Sequence, residues 1–468
     1  MGTEHREAID WAVSHGLVMA TGDAAGTCKH APFTMSATEL PKGAYEKANA
    51  VTPLFNLIVD RGSQDIEFIE ESLEVVLGAD DFTRRCYELW KESLALGGVT
   101  PVELGLNRSD YLIDRRDGLP KLVEINTIAA SLAGLSMRTG KLHEFLDARF
   151  HQGTAVHPPN NAIPGMVDAM AAAVRLYEQH HGAKDCAVLM VVLPDETNTS
   201  DQRALEHTLF ERHGIKMVFS GLADVAGAPG PSATNGRSGI SVDGAEVAVA
   251  YFRSGYMPEH YPTEREWEGR RKLELSRAVK CPSMGYHLMG CKKIQQRLAV
   301  PGVLERFLQP DEAQQLRDCL VGHYSMTPGE RDPAAAAEAI KNPQNYVLKP
   351  QREGGGNNLY DEDVRIALQT MAPEELSAYI MMDIIEAGNS QADVMRNGQQ
   401  IQATILSELG IYSPFLRHHD QILTNEVSAG LLREVLSIVS MLCMVCIECI
   451  LSGLWCTERG LFAAFQDL

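Results

Sequence analysis

The sequence predicts an α/β fold with a parallel sheet in the middle of the chain, and three observations carry that expectation. Cys186–Leu193 is a continuous apolar run of buried-strand length. Asp201–His213 follows with Leu205, Leu209 and Phe210 at helical spacing, and Ile215–Phe219 and Ala245–Phe252 are further strand-like runs. Strand–helix–strand order favours parallel pairing, so 184–290 reads as its own α/β unit, broken by the Gly/Pro/Ser-rich loop Pro229–Arg237. Ligands of such sheets sit beyond the carboxyl ends of the strands. Glu196-Thr197-Asn198 and Arg253-Ser254-Gly255-Tyr256 fall there, and spacing alone reads them equally well as ordinary polar loops.

Outside this unit, Met166–Gln179 carries a helical stripe (Val167, Met170, Val174, Tyr177) that reads as core, and Pro328–Ala339 reads as a solvated surface helix. A chain of 468 residues has room for two or three domains. Its 42 basic against 62 acidic residues leave a formal charge of −20, which argues against nucleic acid or an anionic membrane as partner. Met1–Arg6 lacks an apolar run of the secretory type, and Arg6 stands where an acyl signal on Gly2 wants Ser or Thr. Cys28, Cys86, Cys186, Cys281, Cys291 and Cys319 have no paired spacing, so reduced thiols and a cytoplasmic setting are expected.

The chemistry concentrates in Lys349-Pro-Gln-Arg-Glu-Gly-Gly-Gly-Asn-Asn-Leu-Tyr360. The strand-like Tyr346–Lys349 feeds into Glu353 and three glycines, Gly354, Gly355 and Gly356, whose backbone N–H groups can curl around an anion. Lys349 supplies a point charge for phosphate, and Glu353 an oxygen for accompanying magnesium. No Gly-Lys-Ser/Thr follows, so this is not a Walker A loop. In Lys121–Thr127, Glu124 and Asn126 alternate onto one face of a strand; taken alone the pair reads as a polar strand edge, and Glu353 as a third oxygen turns the reading to magnesium. Adjacent Lys292 and Lys293 would ordinarily mean solvent. Tyr379–Ile385 is an apolar run compatible with plain sheet core.

The 349–360 string resembles the glycine-rich lid of eukaryotic-type glutathione synthetases, which are ATP-grasp ligases. Similar blocks run collinearly through Ala31-Pro-Phe33, Leu106–Tyr111, Glu124–Thr127, Ser407–Gly410 and Leu431–Arg433. The resemblance implies an ATP-grasp body in two parts, 1–183 and 291–433, with 184–290 inserted as substrate-binding domain. It further implies a homodimer that joins γ-glutamylcysteine and glycine with ATP and magnesium through an acyl phosphate. Glu124, Asn126 and Glu353 would hold the metal. Lys292, Lys349, the three glycines, Asn357, Asn358, Tyr360, Met382, Asp383, Ile385 and Glu408 would contact ATP, with Lys293 a bystander. Asp383 and Ile384 depart from the family pattern, which leaves backbone contacts to adenine there. Arg108, Ile128, Ser131, Glu196, Asn198, Gln202, Arg253, Tyr256 and Arg433 would hold substrate, and Arg108, Lys292, Lys349 and Arg433 would serve catalysis.

After Arg433 the resemblance stops: the family's lysine two residues on and its closing loop are missing. Residues 434–468 form an apolar, cysteine-rich tail. Val435–Trp455 is long enough for a bilayer, but Glu448 and small polar residues interrupt it. Cys443, Cys446, Cys449 and Cys456 imitate a metal spacing. The adopted reading is an alternative or mis-spliced end, with no membrane contact. The alternative function is therefore an impaired chain acting as a binding or dimer-partner subunit.

Overall fold

A computed structural model describes residues 2–21, 26–96, 101–153, 155–233, 236–351 and 357–436, with only the backbone of 431–436. The central antiparallel sheet is built around the strand Gln399–His418. Its order is Phe33–Thr34, Asn389–Arg396, Gln399–His418, Val102–Ile113 and Pro120–Asn126, and Gln421–Asn425 and Ala429–Leu436 also pair with Gln399–His418. Val102–Ile113 is buried through Leu112 although it carries Glu103, Asn107, Arg108, Ser109 and Asp110. Both faces of the sheet are covered. Phe55, Leu73 and Trp90, from helices Lys42–Gln64, Ile66–Ala79 and Asp81–Ala95, pack with Tyr111, Leu122 and Phe415. Helices Ala133–Phe150 and Ala162–His181 share the other core with Leu104, Leu106 and Leu416. Asp65 and Asp80 start two of these helices by accepting from Phe68 N–H (3.0 Å) and Thr83 N–H (2.8 Å).

The expected parallel sheet is present in the order Val279–Cys281, Ala245–Phe252, Ala187–Val191, Met217–Ser220. Its second run begins at Met217 rather than Ile215. Phe210 does not join the core: one residue past Leu209, a helix turns about 100°, and its ring is 55% exposed. A third sheet orders His323–Ser325, Tyr379–Asp383, Tyr346–Pro350 and Leu359–Tyr360, backed by helices Pro333–Lys341 and Asp361–Thr370. The surface helix expected from Pro328 begins only at Pro333, because Asp332 caps the N–H groups of Ala334 and Ala335. None of the six described cysteines is in a disulfide. Among the described residues no helix is long and apolar enough to cross a membrane. The tail from 437 onward lies outside the described residues.

Glu103, Arg237, Glu274 and Lys280 line a polar cavity of about 40 Å³ with Ser63, Trp90 and Ser283. Burial pushes the Glu103 carboxyl from its ordinary 4.5 up to about 7, against the pull of Lys280 and Arg417. Burial likewise pushes Lys280 from 10.5 down to about 8. Between pH 4.5 and 7 the folded chain binds the extra proton at Glu103, so that stabilisation is present below 4.5 and lost as pH rises through 7. Between pH 8 and 10.5 the unfolded chain binds the extra proton at Lys280, so stability recovers as pH rises. The Glu103 limb should amount to about 3 kcal/mol, and Glu103→Gln should flatten it. Urea unfolding of both chains at pH 5 and 7.5 measures this; equal slopes would refute it.

Candidate functional site

Three sheets converge on the candidate site. On Val102–Ile113, Arg108 pairs in register with Asn126 on one side and Tyr412 on the other. Its guanidinium forks onto Asp110 at 2.7 and 2.8 Å, and Nη1 donates to Ser131 O at 3.1 Å. Asp110, two residues on and so on the same strand face, was not singled out in the sequence, although that spacing could have found it. Gly410 has to be glycine here, since a Cβ would stand 2.9 Å from Asp110 Oδ1 and 3.0 Å from Arg108 Cδ.

The loop after Asn126 presents Ile128 and Ser131, both buried. Ala129 (φ 52°) and Leu132 (φ 72°) take the left-handed region around Ser131, a strain that has to be held from outside. Asp201 holds it, accepting from Leu132 N–H (3.0 Å) and Gly134 N–H (2.7 Å). The same carboxylate lies 3.7 Å from Arg253, whose Nη1 donates to Ala129 O at 3.2 Å. Sequence reasoning named Arg253 and Gln202 but missed Asp201, the residue just before Gln202.

Past the parallel strands, Glu196 accepts from Asn198 N–H at 2.7 Å, and the Tyr256 ring meets His260 edge-on at 4.5 Å. Asn198 Oδ1, Gln202 Nε2 and Arg253 Nε are buried and find no hydrogen-bond partner among the described residues. Buried orphans of this kind are rare and call for a partner such as a polar ligand.

On the nucleotide side, Lys292 Nζ sits 2.7 Å from Glu124 Oε2, and Lys349 Nζ donates to Val123 O at 3.1 Å. Both lysines are buried. Met382 and Ile385 pack with Val347 from the third sheet and Leu112 from the central one, flanked by Val123 and Tyr360, an apolar meeting of the two sheets. Asn358 donates to Tyr360 Oη at 3.1 Å, and Asn357 is exposed. Glu408 lies opposite Arg433 in the strand register; the Arg433 side chain, like Glu353 and the three glycines, lies outside the described residues. The Asp383 carboxylate is occupied by Gly322 N–H (3.0 Å) and Tyr324 Oη (3.1 Å). Its backbone N–H goes to Gly322 O, and that of Ile384 to Asn345 O.

The pair Lys292–Lys293 is not solvent-facing: both are buried, because helix Lys292–Leu298 is enclosed between helix Ile66–Ala79 and the third sheet. Glu124 offers a carboxylate, and Asn126 keeps its amide oxygen while Nδ2 donates to Asp110 (2.8 Å) and Arg108 O (3.2 Å). No three His, Cys, Asp or Glu side chains are grouped so as to hold a metal ion among the described residues. Magnesium bridging phosphates keeps waters and needs only one or two carboxylates, so these hard oxygens fit it.

The family description "Eukaryotic glutathione synthase, ATP binding domain" matches residues 3–438. The chain belongs to the eukaryotic glutathione synthase family. It is 39% identical to the chloroplastic glutathione synthetase of Solanum lycopersicum, across 92% of this chain and 80% of that one. It is 38% identical to glutathione synthetase of Homo sapiens, across 92% and 91%. A solved glutathione synthetase-like effector of Globodera pallida, in its apo form, superposes with a TM-score of 0.73 at 21% identity over 92% of this chain and 94% of that one. The glutathione synthase fold is therefore the mixed architecture described above, an ATP-grasp body carrying the parallel sheet, and the family's chemistry is ATP-dependent ligation. These likenesses do not favour the impaired-subunit alternative, whose apolar tail lies outside the described residues from 437 onward.

Proposed function

We propose that this chain ligates γ-glutamylcysteine to glycine at the expense of ATP. The observation carrying the reading is the set of buried orphans, Asn198 Oδ1, Gln202 Nε2 and Arg253 Nε, one loop away from the paired Lys292 and Glu124. A dipeptide with an amine and two carboxylates supplies partners for such groups, and arginine forks suit carboxylates. In the reaction, the cysteinyl carboxylate oxygen attacks the γ-phosphorus and ADP leaves. The glycine nitrogen then attacks the acyl carbon, loses its proton, and expels phosphate. No protein nucleophile is needed, so catalysis rests on positioning and charge.

Lys292 and Lys349 would meet the phosphates, while Arg108, held by Asp110, would orient the reacting carboxylate. Magnesium would bind at Glu124 and Asn126, joined by Glu353, and supply charge neutralisation on the phosphates. Met382, Ile385 and their apolar neighbours would flank the base. With Asp383 committed to Gly322 and Tyr324, its side chain contributes structure there rather than recognition. Glu408, Tyr360, Asn357, Asn358 and the glycines would complete the nucleotide site; Ile128, Ser131, Glu196, Tyr256 and Arg433 would complete the substrate site. We place the chain in the cytoplasm as a homodimer, with 1–183 and 291–433 as the body, 184–290 as the substrate domain and 434–468 as an atypical apolar, cysteine-rich end whose first residues, to Leu436, still belong to the last strand of the central sheet.

Glycine-dependent ADP release in the presence of γ-glutamylcysteine tests the reading, and ADP release indifferent to both substrates overturns it. Gln202→Leu sharpens the test. Removing a buried unsatisfied amide should leave stability unchanged or raise it by about 1 kcal/mol. It should also raise KM for γ-glutamylcysteine about tenfold, the equivalent of 1.4 kcal/mol. Thermal unfolding and steady-state kinetics read the two effects, and an unaltered KM would remove Gln202 from the site.

A further inference from the structure

Lys293 had every sign of a spectator in the sequence, and the structure gives it an enclosure. The residue is 3% exposed. It donates to Ser325 Oγ (2.8 Å) and Thr327 Oγ1 (3.2 Å) and pairs with Glu330 Oε2 (2.9 Å). Ser325 in turn donates to Glu330 at 2.7 Å, and Thr327 N–H donates to Ser325 Oγ at 3.2 Å, so the cage is cross-braced. Burial lowers the Lys293 pKa, and Glu330 opposes that shift. Burying an ammonium is costly, and this one lies outside the contacts assigned to Lys292.

A second bond links the same residue to the far side of the site. Lys293 N–H donates to the Gln351 side-chain oxygen at 3.1 Å. Gln351 is 5% exposed, follows the strand Tyr346–Pro350 that carries Lys349, and is tied by its own N–H to Ala378 O at 3.1 Å. Ser325 and Lys349 are aligned through Ile380 in the register of the third sheet. The cage and the Gln351 bond thus fasten helix Lys292–Leu298 to that sheet at two points.

We propose that Lys293 and Gln351 are positioning residues, a latch that sets Lys292 against Lys349, the two ammonium groups that would meet the phosphates of ATP. The inference rests on the ligase reading above for the role of those lysines. Neither latch residue touches the reacting atoms. A displacement of about 1 Å in a phosphate contact is enough to cost an enzyme on the order of 100-fold.

Gln351→Leu removes the accepting oxygen at nearly constant volume, whereas Gln351→Glu keeps it. In the full chain, Gln351→Leu should weaken ATP–magnesium binding about tenfold by calorimetry and raise KM for ATP by a similar factor, with kcat falling less. Gln351→Glu should stay within threefold of the parent. A change under threefold in Gln351→Leu, or an equal loss in Gln351→Glu, would overturn the latch. If Gln351→Leu fails to fold, the pair Lys293→Met with Glu330→Gln, which removes both charges together, is read by the same calorimetric criterion. Should the parent chain release no glycine-dependent ADP, the ligation reading fails on its own, and the calorimetric comparison still decides the latch.

Discussion

Replacing Lys292 with methionine should lower kcat roughly 100- to 1,000-fold while leaving the fold intact. The magnitude is that of removing one preorganised charge contact from a transition state, about 3–4 kcal/mol. The fold survives because the partner left behind, Glu124, has a side chain 22% exposed and can be solvated. The methionine stem meanwhile preserves packing in a helix whose Ile294 and Leu298 anchor it to the core. Single-turnover ADP formation measures the effect free of product release. A kcat within tenfold of the parent would mean that the Lys292 charge does not act on the reacting phosphate.

The second large effect should come from a residue outside any motif. Asp201→Ala should destabilise the chain by about 3–5 kcal/mol, the usual cost of stripping one partner from a buried ion pair. Two N–H groups, of Leu132 and Gly134, lose their acceptor together, and Arg253 loses the carboxylate 3.7 Å away. Without that anchor, the left-handed residues Ala129 and Leu132 are held through carbonyl contacts, from Arg253 to Ala129 O and from Arg108 to Ser131 O, so Ser131 should be held less firmly. KM for γ-glutamylcysteine should therefore rise well beyond the loss of stability, and KM for ATP should stay near its parent value. Denaturant unfolding with separate titration of the two substrates checks this; equal rises in both KM values would point to general unfolding instead.

How much of this could be read from residues alone follows from which contacts are local. Glu124 and Asn126 share a face because a strand has period two, and the structure keeps them together at the site. The parallel sheet was legible because apolar runs of strand length alternate with a helical stripe. Lys293 was not legible, since two adjacent lysines carry no mark of the sheet that encloses them. Asp201 looked like an ordinary acidic residue in a helix's first turn, and only the fold brings Leu132 and Gly134 to it. Asp383 departs from the family pattern, and its partners Gly322 and Tyr324 lie about 60 positions earlier, beyond any pattern-based reading.

The shared strand Gln399–His418 also sets a timetable for synthesis. Val102–Ile113, with its apolar and charged residues interleaved, pairs on one edge with Pro120–Asn126 as soon as both leave the ribosome. Its other edge waits for Tyr412 and neighbours, about 300 positions later, so a row of unpaired backbone groups stays open through most of translation. At ordinary elongation rates of roughly 5–20 residues per second, that interval is some 15–60 seconds. The nascent chain therefore passes through a long stage in which the edge that will seat Arg108 is sticky. Yield of active protein should be governed by chaperone supply and translation speed during that window rather than by the final stability of the folded chain.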